Sequence, residues 1–194
     1  MKKIAMFVVM MVVFVVAIST AEAQTSTQSV HRLSLGFHGA YSLGGDIERS
    51  NLGIGGQVIV PLGDTFSMEV SATRFEDGID DLLIDMMTIG VTLRAAMPVM
   101  ENRGKVYVGA GFSHNSFDAN IAWPGYNVSI EDSIGWHVAV GFSTRVHQRA
   151  ELFGEYRYTM TRSTAEVSSP CGCHEIVTGS YNFGLLRLGV NFMF

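Results

Sequence analysis

The last ten residues of the chain, LLRLGVNFMF, put Leu186, Leu188, Val190, Phe192 and Phe194 on one parity and Leu185, Arg187, Gly189, Asn191 and Met193 on the other. Side chains alternate between the two faces of a strand, so this stretch reads as a strand with one wholly apolar face. Its second face carries a charge, an amide and a glycine. Such a strand separates an apolar environment from a partly polar one.

The same period of two recurs in seven earlier runs, each bounded by Gly, Asp, Asn, Pro or Ser. They cover Arg32 to Tyr41, Leu52 to Val60, Thr65 to Phe75, Met86 to Ala96, Lys105 to Ser113, Ile134 to Arg145 and Arg149 to Met160, with Tyr181 to Phe194 as the eighth. Connections after the second, fourth and sixth runs are fairly short; those after the first, third, fifth and seventh are generally longer and more polar. Short turns on one side and long loops on the other are the pattern of outer-membrane barrels, and an even strand count places both termini on the periplasmic side. It also lets the sheet close, which matters because an open edge in hydrocarbon leaves backbone groups without partners.

The start of the chain fits that address. Lys2 and Lys3 precede an apolar run from Ile4 to Ile18, and Ala21-Glu22-Ala23 closes it as an A-x-A cleavage pattern, so residues 1–23 read as a secretory signal peptide. The run is shorter than the roughly 20 apolar residues of a membrane-spanning helix. A short segment, 24–30, then leads into a barrel domain over 31–194. Without the signal the chain has 11 Lys plus Arg (13 less 2) against 17 Asp plus Glu (18 less 1), a charge of −6 that argues against nucleic acid as a partner. Two cysteines are too few for a disulfide framework. A soluble secreted sandwich of this length is the bland alternative, but it would need its polar residues outside, whereas here the inferred inner face is the polar one.

The runs EDSIGWHVAVGF (Glu131 to Phe142), LFGEYRYT (Leu152 to Thr159) and LLRLGVNFMF resemble the eight-stranded outer-membrane β-barrels of the OmpA and OmpX type, and the resemblance extends from about His31 to Phe194. It implies an all-β, antiparallel, up-and-down eight-stranded transmembrane barrel in the outer membrane. A terminal Phe with alternating apolar residues resembles the signal read by the barrel-assembly machinery, which makes Phe192 and Phe194 the expected assembly signal. Outer-membrane lipid, lipopolysaccharide and that machinery are then the expected partners, with host or surface ligands met through the loops and the barrel itself a monomer. One fold carries many functions, so the expected role stays broad: structural, adhesive or envelope-protective, without catalysis.

An eight-stranded barrel is filled by its own side chains. The inward set holds Glu69, Arg94, Arg145, Glu151, Glu155, Arg157 and Arg187, expected to form a lumen charge network in which Arg187 lies near Glu155 and Arg157, and Arg145 near Glu151. A structural plug is favoured over a gated ion path. Trp136, Tyr41, Tyr156 and Tyr158 toward the loop end, with Phe66, Phe142, Phe192 and Phe194 toward the turn end, form two aromatic girdles.

Three polar clusters compete for a chemical role. His114, Ser116 and Asp118 share the outward parity at the outer rim; His114-Asn115-Ser116 resembles the His-x-Ser pair of eight-stranded lipid A deacylases, although Phe117 stands where those enzymes have Asn. Asp118 cannot orient His114 in a straight strand because Ser116 lies between them, so a polar rim is favoured over a hydrolase. In the fourth loop Cys171, Cys173, His174 and Glu175 offer soft metal ligands, but they occupy one short stretch, and a small disulfide or free thiols fit better. In the second loop Glu76, Asp77, Asp80, Asp81 and Asp85 lack calcium-loop spacing and read as a solvated acidic face. No catalytic, metal or cofactor residue is assigned. The rival functions are acyl-chain hydrolysis at His114 and Ser116, and a narrow channel for small solutes or ions.

Overall fold

The computed structural model describes residues 32–45, 52–79, 82–99, 103–121, 127–168 and 174–194. The signal peptide, the segment 24–30, Asp80, Asp81, Cys171 and Cys173 lie outside them. The strands are β1 (Ser34–Gly45), β2 (Leu52–Pro61), β3 (Phe66–Ile79), β4 (Leu82–Val99), β5 (Gly104–Ile121), β6 (Asn127–Ile130), β7 (Ser133–His147), β8 (Ala150–Ser168) and β9 (His174–Met193). All described pairings are antiparallel between neighbours. β1 also pairs with β9, from Ser34 opposite Met193 to Gly45 opposite Phe183, and that pairing closes the sheet. Phe194 adds one more closing bond by donating its amide to the Leu33 carbonyl at 2.9 Å.

β6 and β7 are one broken strand, which reconciles nine segments with a ring of eight. Both pair with β8: Ile130 stands opposite Ala165 and Gly135 opposite Thr161. The first strand advances five residues (130 to 135) while its partner covers four (165 to 161), so Glu131–Asp132 contains a β-bulge. A bulge reverses the parity of what precedes it and re-aims a side chain at the kink.

Parity follows the sequence throughout the apolar band. Phe37, Phe112, Trp136, Val140, Phe142 and Leu188 are exposed on the outside, while Ser71, Thr92, Arg94, His137 and Arg187 are buried within. The main difference lies at the end away from the short turns. Segments expected as loops are strand: β3 and β4 pair out to Ile79 opposite Leu82, and β8 and β9 out to Ser168 opposite His174. Above the apolar band the outer face no longer meets lipid, so the alternation that marks a strand weakens while the backbone ladder continues.

Candidate functional site

The lumen is crossed by a compact ion-pair network. Glu69 on β3 and Arg94 on β4 project from one wall, and Glu155 and Arg157 on β8 with Arg187 on β9 project from the wall opposite. Arg94 reaches Glu69 at 3.0 Å and Glu155 at 2.7 Å; Arg157 reaches them at 2.7 and 2.9 Å, and Arg187 at 3.0 and 2.6 Å. Each carboxylate thus serves three guanidiniums, and all five groups are at most 4% exposed. Burial on this scale is tolerable because every charge is paired, yet three Arg against two Glu leave one positive charge in excess.

Uncharged neighbours absorb much of the remaining hydrogen-bonding capacity. Arg187 donates to Gln57 at 2.6 Å, and Gln57 donates to Asn191 at 2.8 Å. The second Arg187 contact, 3.3 Å to His38 Nδ1, fixes that imidazole. Guanidinium can only donate, so Nδ1 is the accepting nitrogen, the proton sits on Nε2, and Nε2 donates to Thr73 at 2.9 Å. Arg94 also lies over the Tyr107 ring, 3.9 Å from its centroid.

Two residues of the expected network stand apart. Arg145 and Glu151 oppose each other in register, but Arg145 is exposed and neither joins the buried pairs. Four residues separate Glu151 from Glu155, about 13 Å along a strand, which puts Glu151 in the open vestibule at the turn end rather than in the plug. That vestibule, about 640 Å³, is lined by Arg145, Lys105, Glu151 and Asn191, with Arg94 and Tyr107 deeper in.

The expectation of a polar inner face holds only for part of the lumen. Beyond the charges, toward the long-loop end, Phe75, Met86, Phe183 and Leu185 form a buried apolar cluster, and Phe117 and Tyr181 pack against it. Ring centroids lie 5.7 Å apart for Phe75 and Phe183, and 5.9 Å for both Tyr181 with Phe183 and Phe117 with Tyr181. Phe75, Met86, Tyr181, Phe183 and Leu185 continue the inward parity of their runs, so their signal was in the alternation, whereas Phe117 lies beyond the fifth run; the side chains pack as a soluble core does because a barrel of eight strands is narrow enough for them to fill. Two packed layers therefore follow one another in the lumen, one ionic and one apolar.

On the outer surface β5 persists through His114, Ser116 and Asp118, and all three face outward as their parity requires. Asp118 stands opposite Asp85, away from His114. A different acid arrives: Asp132, turned by the bulge, lies 3.4 Å from His114 Nε2 and 3.3 Å from the Ser116 hydroxyl, which is itself 3.4 Å from the same Nε2. A nucleophilic relay needs the acid on one ring nitrogen and the hydroxyl on the other. Here both meet Nε2, so the arrangement is not a hydrolytic triad. Of the acidic second loop, Asp85 forms an ion pair with Arg74 on the neighbouring strand.

A family model described as the outer membrane protein beta-barrel domain matches residues 10–194. The chain belongs to that family. Its eight-stranded antiparallel ring is the fold of solved outer-membrane barrels. Outer membrane protein OprG from Pseudomonas aeruginosa is similar at 14% identity, with 87% of this chain and 98% of that chain covered and a TM-score of 0.68. Neisserial surface protein A is similar at 18% identity over 87% and 100%, with a TM-score of 0.61. Escherichia coli Outer Membrane Protein W is similar at 15% over 87% and 100%, with a TM-score of 0.55. No curated protein matches the chain in sequence. This outer-membrane barrel thus presents its apolar band to lipid, with the short turns on the periplasmic side and the long strand extensions outside the cell.

Proposed function

We propose that this outer-membrane barrel acts without catalysis, as a plugged anchor that presents β-sheet to the cell exterior for adhesion and protection of the envelope. The observation that carries the reading is the length of the outer ladders. β8 and β9 pair continuously from Ala150 opposite Phe192 to Ser168 opposite His174, 19 residue pairs, whereas a strand crosses the membrane in about 9–11. Roughly half of that ladder therefore stands outside, and β4 with β5 rises on the other wall to Leu82 opposite Ile121. The exposed side chains out there include Ile176 and Val177, apolar surface that a sheet outside the bilayer keeps for a partner. The expected partners are lipid and lipopolysaccharide around the apolar band, the barrel-assembly machinery at Phe192 and Phe194, and host or surface ligands at the outer sheets, with the barrel a monomer.

Thr161 stands opposite Tyr181, so a two-residue turn replacing Arg162 to Ser180 shortens this ladder without touching the membrane band. Attachment of cells to host and abiotic surfaces should fall to that of cells lacking the protein, while heat-modifiable migration and membrane yield stay unchanged. Undiminished attachment would overturn the adhesive reading. Lipid A from cells with and without the protein should show the same acylation by mass spectrometry; a lost acyl chain would restore the hydrolase.

A further inference from the structure

The ionic network leaves one charge unbalanced, and the cavity at the turn end adds to the imbalance. Glu69 and Glu155 offset two of the three guanidiniums, so the plug holds +1 (3 less 2). Arg94 is the plug residue that also lines the vestibule of about 640 Å³, stacked there over Tyr107. Around these two the vestibule carries Arg32, Lys105 and Arg145 against Asp64 and Glu151, a second excess of +1 (3 less 2). Among the described residues none of these five has an ion-pair partner. A cleft walled by protein and lined mainly by one sign of charge focuses its field on whatever enters.

The strands set these cations around one space. Lys105 stands two residues from Tyr107 on the same face of β5, about 7 Å nearer the mouth. It lies opposite Ser143 on β7, and Arg145 follows two residues on, so the two cations are diagonal neighbours on adjacent strands. Arg32 leads into β1, which stands opposite β5 in the ring of eight. At the floor two buried donors are left over. Arg94 Nε and the Tyr107 hydroxyl have no hydrogen-bond partner, although their residues are only 4% and 6% exposed. A buried donor without an acceptor is costly, and acceptors are what this lining lacks.

We propose that the vestibule is a binding site for a small dianion, a phosphate ester or a dicarboxylate, that enters from the periplasm. Lys105 and Arg145 hold it from one wall and Arg32 from the other, above the Arg94 floor. Two negative charges match the +2 of plug and vestibule together (1 plus 1). Phosphoryl and carboxylate groups share the required chemistry, since both accept several charge-assisted hydrogen bonds from guanidinium and ammonium. The volume falls within the roughly 300–1,000 Å³ of small-molecule pockets. The ionic layer lies directly beyond the floor, so the ligand binds without passing through. Binding there is independent of what the outer sheets do.

The test is calorimetric titration of the refolded full-length barrel in zwitterionic micelles, at mildly alkaline pH, with inorganic phosphate and separately with succinate. At least one should bind at one equivalent, more weakly as sodium chloride is raised. Binding of phosphate alone points to a phosphoryl ligand, and of succinate alone to a carboxylate one. Lys105→Ala and Arg145→Ala should each weaken binding roughly tenfold, the weight of one lost charge-assisted hydrogen bond. Glu151→Gln should tighten it, because that carboxylate stands opposite Arg145 and repels an anion. Arg149→Ala, which removes a cation at the same end but outside the cavity lining, should leave it unchanged. Heat-modifiable migration checks that each variant folds. Saturation by neither anion, or binding that survives Lys105→Ala combined with Arg145→Ala, would overturn the site. Equal weakening by Arg149→Ala would overturn it too, since it would mark diffuse attraction of anions to a basic rim.

Discussion

Replacing Glu155 by Gln tests whether the lumen charges act as one unit. Glu155 accepts from Arg94 at 2.7 Å, from Arg157 at 2.9 Å and from Arg187 at 2.6 Å, and it is 1% exposed. With an amide there, three buried guanidiniums share Glu69 alone, and the network charge rises from +1 to +2. Breaking a buried pair by removing one partner costs about 3–5 kcal/mol, because the charge left behind has no water to turn to. Adding Arg187→Met removes one of the stranded cations and returns the sum to +1 (Arg94 and Arg157 against Glu69). The double variant should therefore be more stable than the sum of the two single losses predicts, by at least about 1 kcal/mol, within the range of coupling between residues in contact. Urea titration of micelle-refolded protein, followed by the shift between folded and unfolded gel bands, measures all three. A Glu155→Gln loss below about 1 kcal/mol, or strict additivity, would refute a cooperative plug.

Three further outcomes follow from the packing. Phe183→Ala, at a position 0% exposed in the apolar cluster, should cost about 3–5 kcal/mol in the same urea assay. Gly141→Ala should cost about 1–3 kcal/mol, since a Cβ there would sit 2.5 Å from the Tyr107 ring and hydroxyl and push that ring off Arg94; near-UV circular dichroism would register the displaced tyrosine. Ending the chain at Met193 removes one interfacial aromatic and the Phe194-to-Leu33 backbone bond, together on the order of 1–3 kcal/mol. If Phe194 is read by the assembly machinery, surface yield in cells should collapse while refolding into micelles is nearly retained; equal losses in both would show that Phe194 acts through stability alone.

The membrane band was legible because lipid outside and polar groups inside force a period of two on every strand that crosses it. The neighbour relation of Glu155 and Arg187 was legible for the same reason: hairpin symmetry places them opposite each other, as they are. Contacts across the lumen were not. Glu69 meets Arg157, 88 residues away, only because the closed sheet has a particular tilt and stagger, and no local pattern encodes either. Stagger also decides that Arg145 and Glu151 fall below the plug. Outside the membrane the sequences HNSFDANI and RSTAEVS have lost their alternation and read as loop although both are strand. Asp132 shows a third kind of gap: its approach to His114 depends on one extra residue in a ladder, visible only once the partner strand is in register.

The proposed role rests on a lumen closed by two filled layers, and planar-bilayer recording of the purified full-length protein tests that closure directly. The current should stay at baseline across a wide voltage range, since ions would have to cross both the Glu69–Glu155–arginine network and the layer around Phe75, Met86 and Phe183. Discrete, reproducible conductance steps from the unmodified protein would contradict the account and make transport, rather than surface presentation, the business of this barrel.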